Sequence, residues 1–212
     1  MTTPLYDLTP LVVSHAPQVP DPIAAQCLLL TARDLCKDTG CWRYEATDIP
    51  VTAGDPLASI YDLPADSQIY QVQAAVLGDV PLRRVAIDQL YRERPTWFSD
   101  QGAPFGFFLG AERNQLRLVV TPDTDGSLYT QVTLMPALTA ATLDSVFLDR
   151  HLDLLVDGAL SRLLRYPDRA WTNLNLAGVY AARFEQSKRV IRAQAADGFQ
   201  PGVPRSVCYG GL

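Results

Sequence analysis

Apolar and polar positions change their period along the chain. From residue 22 to about 38, Ile23, Ala24, Ala25, Cys27, Leu28, Leu29, Leu30, Ala32, Leu35 and Cys36 recur at helical spacing. Asp21 reads as an N-cap with Pro22 at the first helical position and Thr39-Gly40 as the stop, so a helix is predicted over 22–38. Its apolar positions cover more than one face, and a lone surface helix of that kind would leave apolar area in water. It therefore requires burial between other helices or between subunits.

From Cys41 to about Met135 the pattern shifts to short runs of β-branched and aromatic residues separated by turn signals. Strands are predicted near 42–49, 58–62, 69–77, 105–111, 115–121 and 128–135. Gly78-Asp79 reads as a tight hairpin turn and the run from Thr121 to Gly126 as a longer one. A helical turn fits 86–92, and a loop at 94–102 carries Trp97 and Phe98. After Pro136 the helical period returns. Leu148, Leu152, Leu155, Ala159 and Leu163 mark one helix over 143–166, ended by Pro167. Ala177, Ala181, Phe184, Lys188, Ile191 and Ala195 mark another over 173–196, in the alternating steps of four and three that packing along a partner requires.

Both ends read as extended. Pro4, Pro10, Pro17 and Pro20 disfavour a packed helix in residues 1–20, and Gly198, Pro201, Gly202 and Pro204 do the same for 198–212. The expected fold is α+β: a bundle of three main helices (21–40 with 141–197), an inserted antiparallel β domain (41–140, sandwich-like or a small barrel), an N-terminal arm and a C-terminal tail.

A chain of 212 residues with 48% hydrophobic content can bury a real core, and no run approaches the roughly 18–20 apolar residues that span a bilayer. Met1 to Asp7 lacks the basic and apolar stretches of a secretion signal, so synthesis in a cytoplasm and no membrane association are expected. The net charge of −5 argues against a broad grip on nucleic-acid phosphates. Charge is also segregated: residues 169–212 hold six basic side chains against two acidic, a net +4 that leaves −9 for the remainder. Such asymmetry suits head-to-tail contacts between copies or docking on an acidic partner, with a solvated helix face as the plain alternative.

Groups that could do chemistry are few. Cys27, Cys36, Cys41 and Cys208 contain no CxxC pair, and Cys27 and Cys36, nine positions apart in one helix, fall on opposite faces, which makes a shared metal improbable. They read as buried free thiols. His15 lies in the proline-rich arm, and His151 has Asp149 and Asp153 two positions to either side, pointing away from it. Both histidines read as structural or solvated. The run from Asp123 to Gly126 resembles the opening of a calcium loop, but its glycine comes at position four and Leu134 stands at position twelve, so a turn is expected. No phosphate-binding glycine loop, nucleophile elbow or HExxH motif occurs. No catalytic residue, cofactor or metal is expected.

The most specific stretch runs Asp157-Gly158-Ala159-Leu160-Ser161-Arg162-Leu163-Leu164-Arg165-Tyr166-Pro167, then Trp171-Thr172-Asn173, then Leu176-Ala177-Gly178-Val179-Tyr180 and Phe184. Its helix with small residues, proline stop, connecting tryptophan and Tyr/Phe-faced helix resemble the C-terminal half of tailed-phage head-to-tail adaptor proteins. The first helix, running through Thr39 into Trp42, resembles that family's N-terminal helix, and the resemblance covers nearly the whole chain. It implies a non-enzymatic virion protein at the head-tail junction, a ring commonly of twelve copies beneath the portal protein, with DNA passing through the lumen without specific binding and a further neck or tail protein docking on it. A neck or tail-completion ring one layer further from the portal is the nearest alternative. A small ligand-binding domain or enzyme, with a pocket near Trp97 and Phe98, is the other.

Two residue sets follow from this reading. Trp171, Tyr180 and Phe184 are expected to form structural core between the last two helices. Phe199, Val203, Val207 and Tyr209, with Arg205 to pair an acidic group, are expected to dock the tail on the portal or on an adjacent copy. A tail folded back along its own bundle is the competing arrangement.

Overall fold

The protein is described here through a computed structural model covering residues 2–110, 112 and 114–196. Residues 1–20, expected as an extended arm, instead contain a short strand, β1 (Thr2–Pro4), and a helix, α1 (Leu5–Val13). The reason is the spacing of Leu5, Leu8, Thr9 and Val12, which recur at helical steps and are all buried. Pro10 lies inside that helix and cannot donate to the carbonyl of Tyr6; the Thr9 hydroxyl donates to it instead, at 2.9 Å. Dense prolines therefore do not prevent a helix that has an apolar face to bury.

Helix α2 (Asp21–Thr39) has Pro20, not Asp21 as expected, as its extended N-cap residue: the Pro20 carbonyl accepts from Ala24 N–H, which puts Asp21 and Pro22 in the first turn, and no side chain caps it. Gly40, at φ +62°, ends it in the left-handed conformation and donates its N–H to the Cys36 carbonyl at 2.9 Å. The chain then forms β2 (Arg43–Val51), β3 (Leu57–Ser59), β4 (Ser67–Leu77), β5 (Val80–Arg84), a short helix α3 (Ile87–Glu93), β6 (Gly106–Leu109), β7 (Gln115–Val119), β8 (Gly126–Pro136) and β9 (Thr142–Asp144). Helices α4 (Ser145–Leu163) and α5 (Leu174–Ala196) follow. The Asp144 carboxylate caps α4, accepting from the N–H groups of Val146 and Phe147, and the Asn173 side chain accepts from Leu176 N–H at the start of α5.

Seven strands form one sheet in the order β2-β8-β4-β5-β6-β7-β3, and the outermost two, β2 and β3, approach each other, so the sheet nearly closes into a small barrel. The Tyr44 hydroxyl, on β2, donates to the Asp62 carbonyl just past β3 and helps to hold that seam. At the Gly78-Asp79 hairpin, Leu77 pairs directly with Val80. The architecture is α+β with a barrel-like β part, as the sequence pattern suggests, but the sheet is not wholly antiparallel. β5 and β6 pair in parallel, because α3 and the Trp97 loop form a crossover between them. β1 pairs with β9 in a separate two-stranded ribbon.

Buried positions run around most of α2, from Ala24 to Thr39, because α1, α4, α5 and β8 all pack on it. The demand for burial read from its apolar positions is thus met inside one chain. No second subunit is needed to cover it.

One polar contact locks the barrel to the helices. Asp66, just before β4, accepts at Oδ2 from the Thr142 hydroxyl (2.7 Å), Thr142 N–H (2.9 Å) and Ala141 N–H (3.1 Å). The Thr142 hydroxyl does most to pull the Asp66 pKa down; partial burial opposes it, and the two backbone N–H groups assist. A carboxylate with a lowered folded-state pKa adds stability above its unfolded value of about 3.9, and that stability is lost as pH falls through the folded value. Asp66→Ala should therefore be less stable than wild type at pH 7, with the gap narrowing at pH 3. Urea unfolding at the two pH values checks this; a gap unchanged at pH 3 would mean that the carboxylate charge contributes nothing.

Candidate functional site

The three residues expected as structural core take different positions. Phe184 is buried on α5 against Gly158 of α4, where a Cβ added to the glycine would lie 2.9 Å from its ring. Tyr180, one turn earlier, is half-buried and meets the His15 ring edge-on at 6.5 Å. Trp171, in the connection between α4 and α5, is also half-buried, with the Arg169 guanidinium 5.9 Å from its ring and an indole N–H that is buried without an acceptor. Trp171 and His15 line one surface groove with Pro17 and Leu164, and Tyr180 and His15 line another with Leu152. Phe184 instead lines a groove on the α2 side. Phe184 thus fastens α5 on the α2 side, while Tyr180 and Trp171 face the segment that follows α1. The tail residues Phe199, Val203, Arg205, Val207 and Tyr209 lie outside the described residues, as does Cys208.

The groove beside Phe184, about 470 Å³, runs between α2, α4 and α5 and is lined by Cys27, Asp34, Arg162, Arg165 and Lys188, among others. Its charges are largely internally paired. Arg162 pairs with Asp34, and Lys188 Nζ reaches Asp38 Oδ2 at 2.7 Å and Glu185 Oε1 at 2.6 Å. Burial works to lower the Lys188 pKa, but the two carboxylates outweigh it and hold the ammonium charged above its usual range. Arg192 Nε donates to the Asp38 carbonyl at 2.7 Å, and Arg43 donates to the Ala195 carbonyl. These contacts bind the second half of α5 to the end of α2 and the start of β2.

At the far side of the barrel, Trp97 is only 5% exposed and forms a second, smaller core with Leu90 and Val119. Tyr91, Phe98 and Phe108 meet it edge-on at 5.9, 6.3 and 5.6 Å, and the Arg117 guanidinium lies 5.1 Å from its ring. A groove of about 480 Å³ runs past Leu57, Ile87, Tyr91, Trp97, Leu109 and Arg117. Phe98 is 57% exposed and does not line it. Among the described residues, the lining offers apolar area, the Arg117 cation and the Glu112 carboxylate.

Sequence spacing did not reveal one convergence. Cys36, in the last turn of α2, and Cys41, just past Gly40, are both buried and lie near enough to shift one another's pKa, and His151 of α4 acts on Cys41. The only trace in the sequence is a Cys on each side of the Thr39-Gly40 stop; His151 arrives through tertiary packing. Among the described residues, no group of three or more His, Cys, Asp or Glu side chains is placed to hold a metal ion. Likewise, no described helix is long and apolar enough to cross a membrane.

Residues 6–205 match the family model described as SU10 adaptor protein, a span that takes in both the helices and the barrel. The chain belongs to this family. This agrees with the resemblance to phage head-to-tail adaptors carried by the stretch from Asp157 to Phe184. No curated protein matches the chain. A phage adaptor is a structural component of the virion that associates with other virion proteins, and in this adaptor the matched span includes the helical scaffold and the Trp97 groove alike.

Proposed function

We propose that this protein forms a non-enzymatic ring of identical copies between the portal protein of a tailed-phage capsid and the tail, completing the DNA-filled head and presenting a platform for the next neck or tail protein. The family match over residues 6–205 is the observation that carries this reading. Charge distribution supports it. Helix α5 exposes Arg183, Arg189 and Arg192, while the chain as a whole is at −5, so copies can meet basic face to acidic face. An acidic average also suits a channel through which DNA slides without being held.

In this reading, residues 199–212 reach from the end of α5 to the portal or to the adjacent copy, with Arg205 pairing an acidic group. Deleting 199–212 is expected to leave the circular-dichroism spectrum and melting temperature unchanged while abolishing co-sedimentation with portal-bearing heads. Unimpaired co-sedimentation would remove the tail from docking. The mass of the purified chain, measured alone and with portal, tests the ring itself: a multimer bound to portal is expected. Binding to isolated tail components but not to portal would place the protein one layer further out.

A further inference from the structure

Helix α4 carries Asp149, Asp153 and Asp157 four residues apart, so the three carboxylates line one face. Like charges at that spacing weaken a helix rather than support it. Asp149 and Asp153 are exposed, Asp157 is half-buried, and exposed Val146 continues the face toward the start of the helix. Beside it runs a groove of about 440 Å³ between α1, α4 and α5, whose apolar lining includes Leu11, Leu152, Val156 and Tyr180. Partial burial does most to raise the Asp157 pKa; Arg183 opposes it, Asp153 adds to it and His15 opposes it. A further cation on this face would relieve the crowding of its carboxylates.

A basic patch lies on the other flank of α5, the side of α2. Asp38 at the end of α2 holds Lys188 Nζ and Arg192 Nε, and Lys37 and Arg189, each one position from a member of that contact, are exposed beside it together with Val190. Neither Lys37 nor Arg189 forms an ion pair among the described residues. The two faces share one end of the bundle. Phe147 of α4 meets Trp42 at 5.5 Å, and Arg43 donates to the Ala195 carbonyl of α5, so the first turns of α4 and the last turns of α5 both abut the start of β2. Complementary patches at one level and on different flanks of a subunit are what a head-to-tail contact repeated by rotation alone requires, and such a contact closes into a ring.

We propose that the acidic face of α4 receives the basic patch of a second copy, with Lys37 and Arg189 facing Asp149 and Asp153 across the contact and Val190 and Val146 adding apolar area. This names the two faces of the ring and rests on the ring reading given above.

The test uses two full-length variants, Lys37→Glu with Arg189→Glu and Asp149→Lys with Asp153→Lys, all four positions being exposed. Wild type mixed with portal is expected to give a portal-bound multimer by mass. Each variant alone should give none, because its two faces then carry the same sign. An equal mixture of the two variants should restore the multimer, in a one-to-one ratio, since each reversed face finds a reversed partner; a chain with all four substitutions should assemble by itself. Multimers formed by either variant alone at the wild-type level overturn the proposal while the ring stands, and so does a mixture that fails to assemble. A wild type that gives no multimer overturns the ring reading and these faces with it.

A second measurement needs no variant. Wild type assembled on portal from equal parts of ¹⁴N- and ¹⁵N-labelled chains is treated with a carbodiimide, which joins lysine amines to carboxylates, and digested with trypsin. With Lys37 blocked, cleavage leaves peptide 34–43; Asp149 falls in 118–150 and Asp153 in 151–162. The expected product joins 34–43 of one isotope to 118–150 or 151–162 of the other. Pairs of a single isotope only, 34–43 joined to portal peptides instead, or no such pair at all overturn the proposal.

Discussion

Gly158→Val is expected to destabilise the protein by about 4 kcal/mol or more. Gly158 sits where α2, α4 and α5 meet, and a Cβ at that position would lie 2.3 Å from Thr31 Cγ2 and 2.9 Å from Cδ2 and Cε2 of Phe184. Neither neighbour can yield easily. Thr31 is fully buried and donates its hydroxyl to the Cys27 carbonyl at 2.8 Å, so turning its methyl aside breaks that bond, and the Phe184 ring is held beneath Lys188 Nζ at 4.8 Å. Alanine would gain roughly 1 kcal/mol of helix propensity over glycine but lose up to about 3 kcal/mol to overpacking. A net loss of about 2 kcal/mol is therefore expected for Gly158→Ala. Valine adds two further methyl groups, and a loss of about 4 kcal/mol or more is a large part of the roughly 5–15 kcal/mol that holds a domain of this kind folded. Urea titrations followed by circular dichroism measure both. If Gly158→Ala proved more stable than wild type, α4 and α5 would have to stand further apart than described. A double variant with Phe184→Leu should recover part of the loss, with a coupling of about 1 kcal/mol or more between the two sites.

Phe184→Ala should cost about 3–5 kcal/mol, the second largest effect expected. The ring is the buried side chain through which α5 meets Gly158, and its removal extends the groove beside Cys27 and Leu30 into the core. It also strips Lys188 of its aromatic contact while leaving its two carboxylates in place. Trp171→Ala should cost less, about 2 kcal/mol, because the indole is only half-buried and its N–H has no acceptor to lose. Thermal melts of the two variants side by side would show the order; a larger drop for Trp171→Ala would move the main fastening of α5 to the α4–α5 connection.

What the chain states locally proved readable because its signals are local. Pro22 and Gly40 bracket α2, Pro167 follows α4, and the four-and-three steps from Ala177 to Ala195 mark the inward face of α5, on which Ala177, Phe184, Lys188 and Ala195 are buried. Six of the seven strands between Arg43 and Pro136 followed from alternation and turn residues in the same way; β5 was not among them. Helix α1 was hidden because four prolines mask the helical spacing of Leu5, Leu8 and Val12 when the segment is read alone. Its helicity is decided by α2 and α4, which give Leu5, Leu8 and Val12 somewhere to go.

By itself, then, the sequence determined the three long helices, most of the strands and the scarcity of reacting groups, since each depends on residues within a turn or two of one another. Tertiary structure alone decided the rest. The parallel pairing of β5 with β6 depends on how the crossover through α3 lies. Barrel closure depends on β2 meeting β3, and the burial of α2 within one subunit on four elements packing around it. The proximity of Cys36, Cys41 and His151 depends on α4 returning to the end of α2 after more than a hundred residues. Such contacts leave no periodic trace, because chain distance carries no information about which buried faces will satisfy one another once the core has formed.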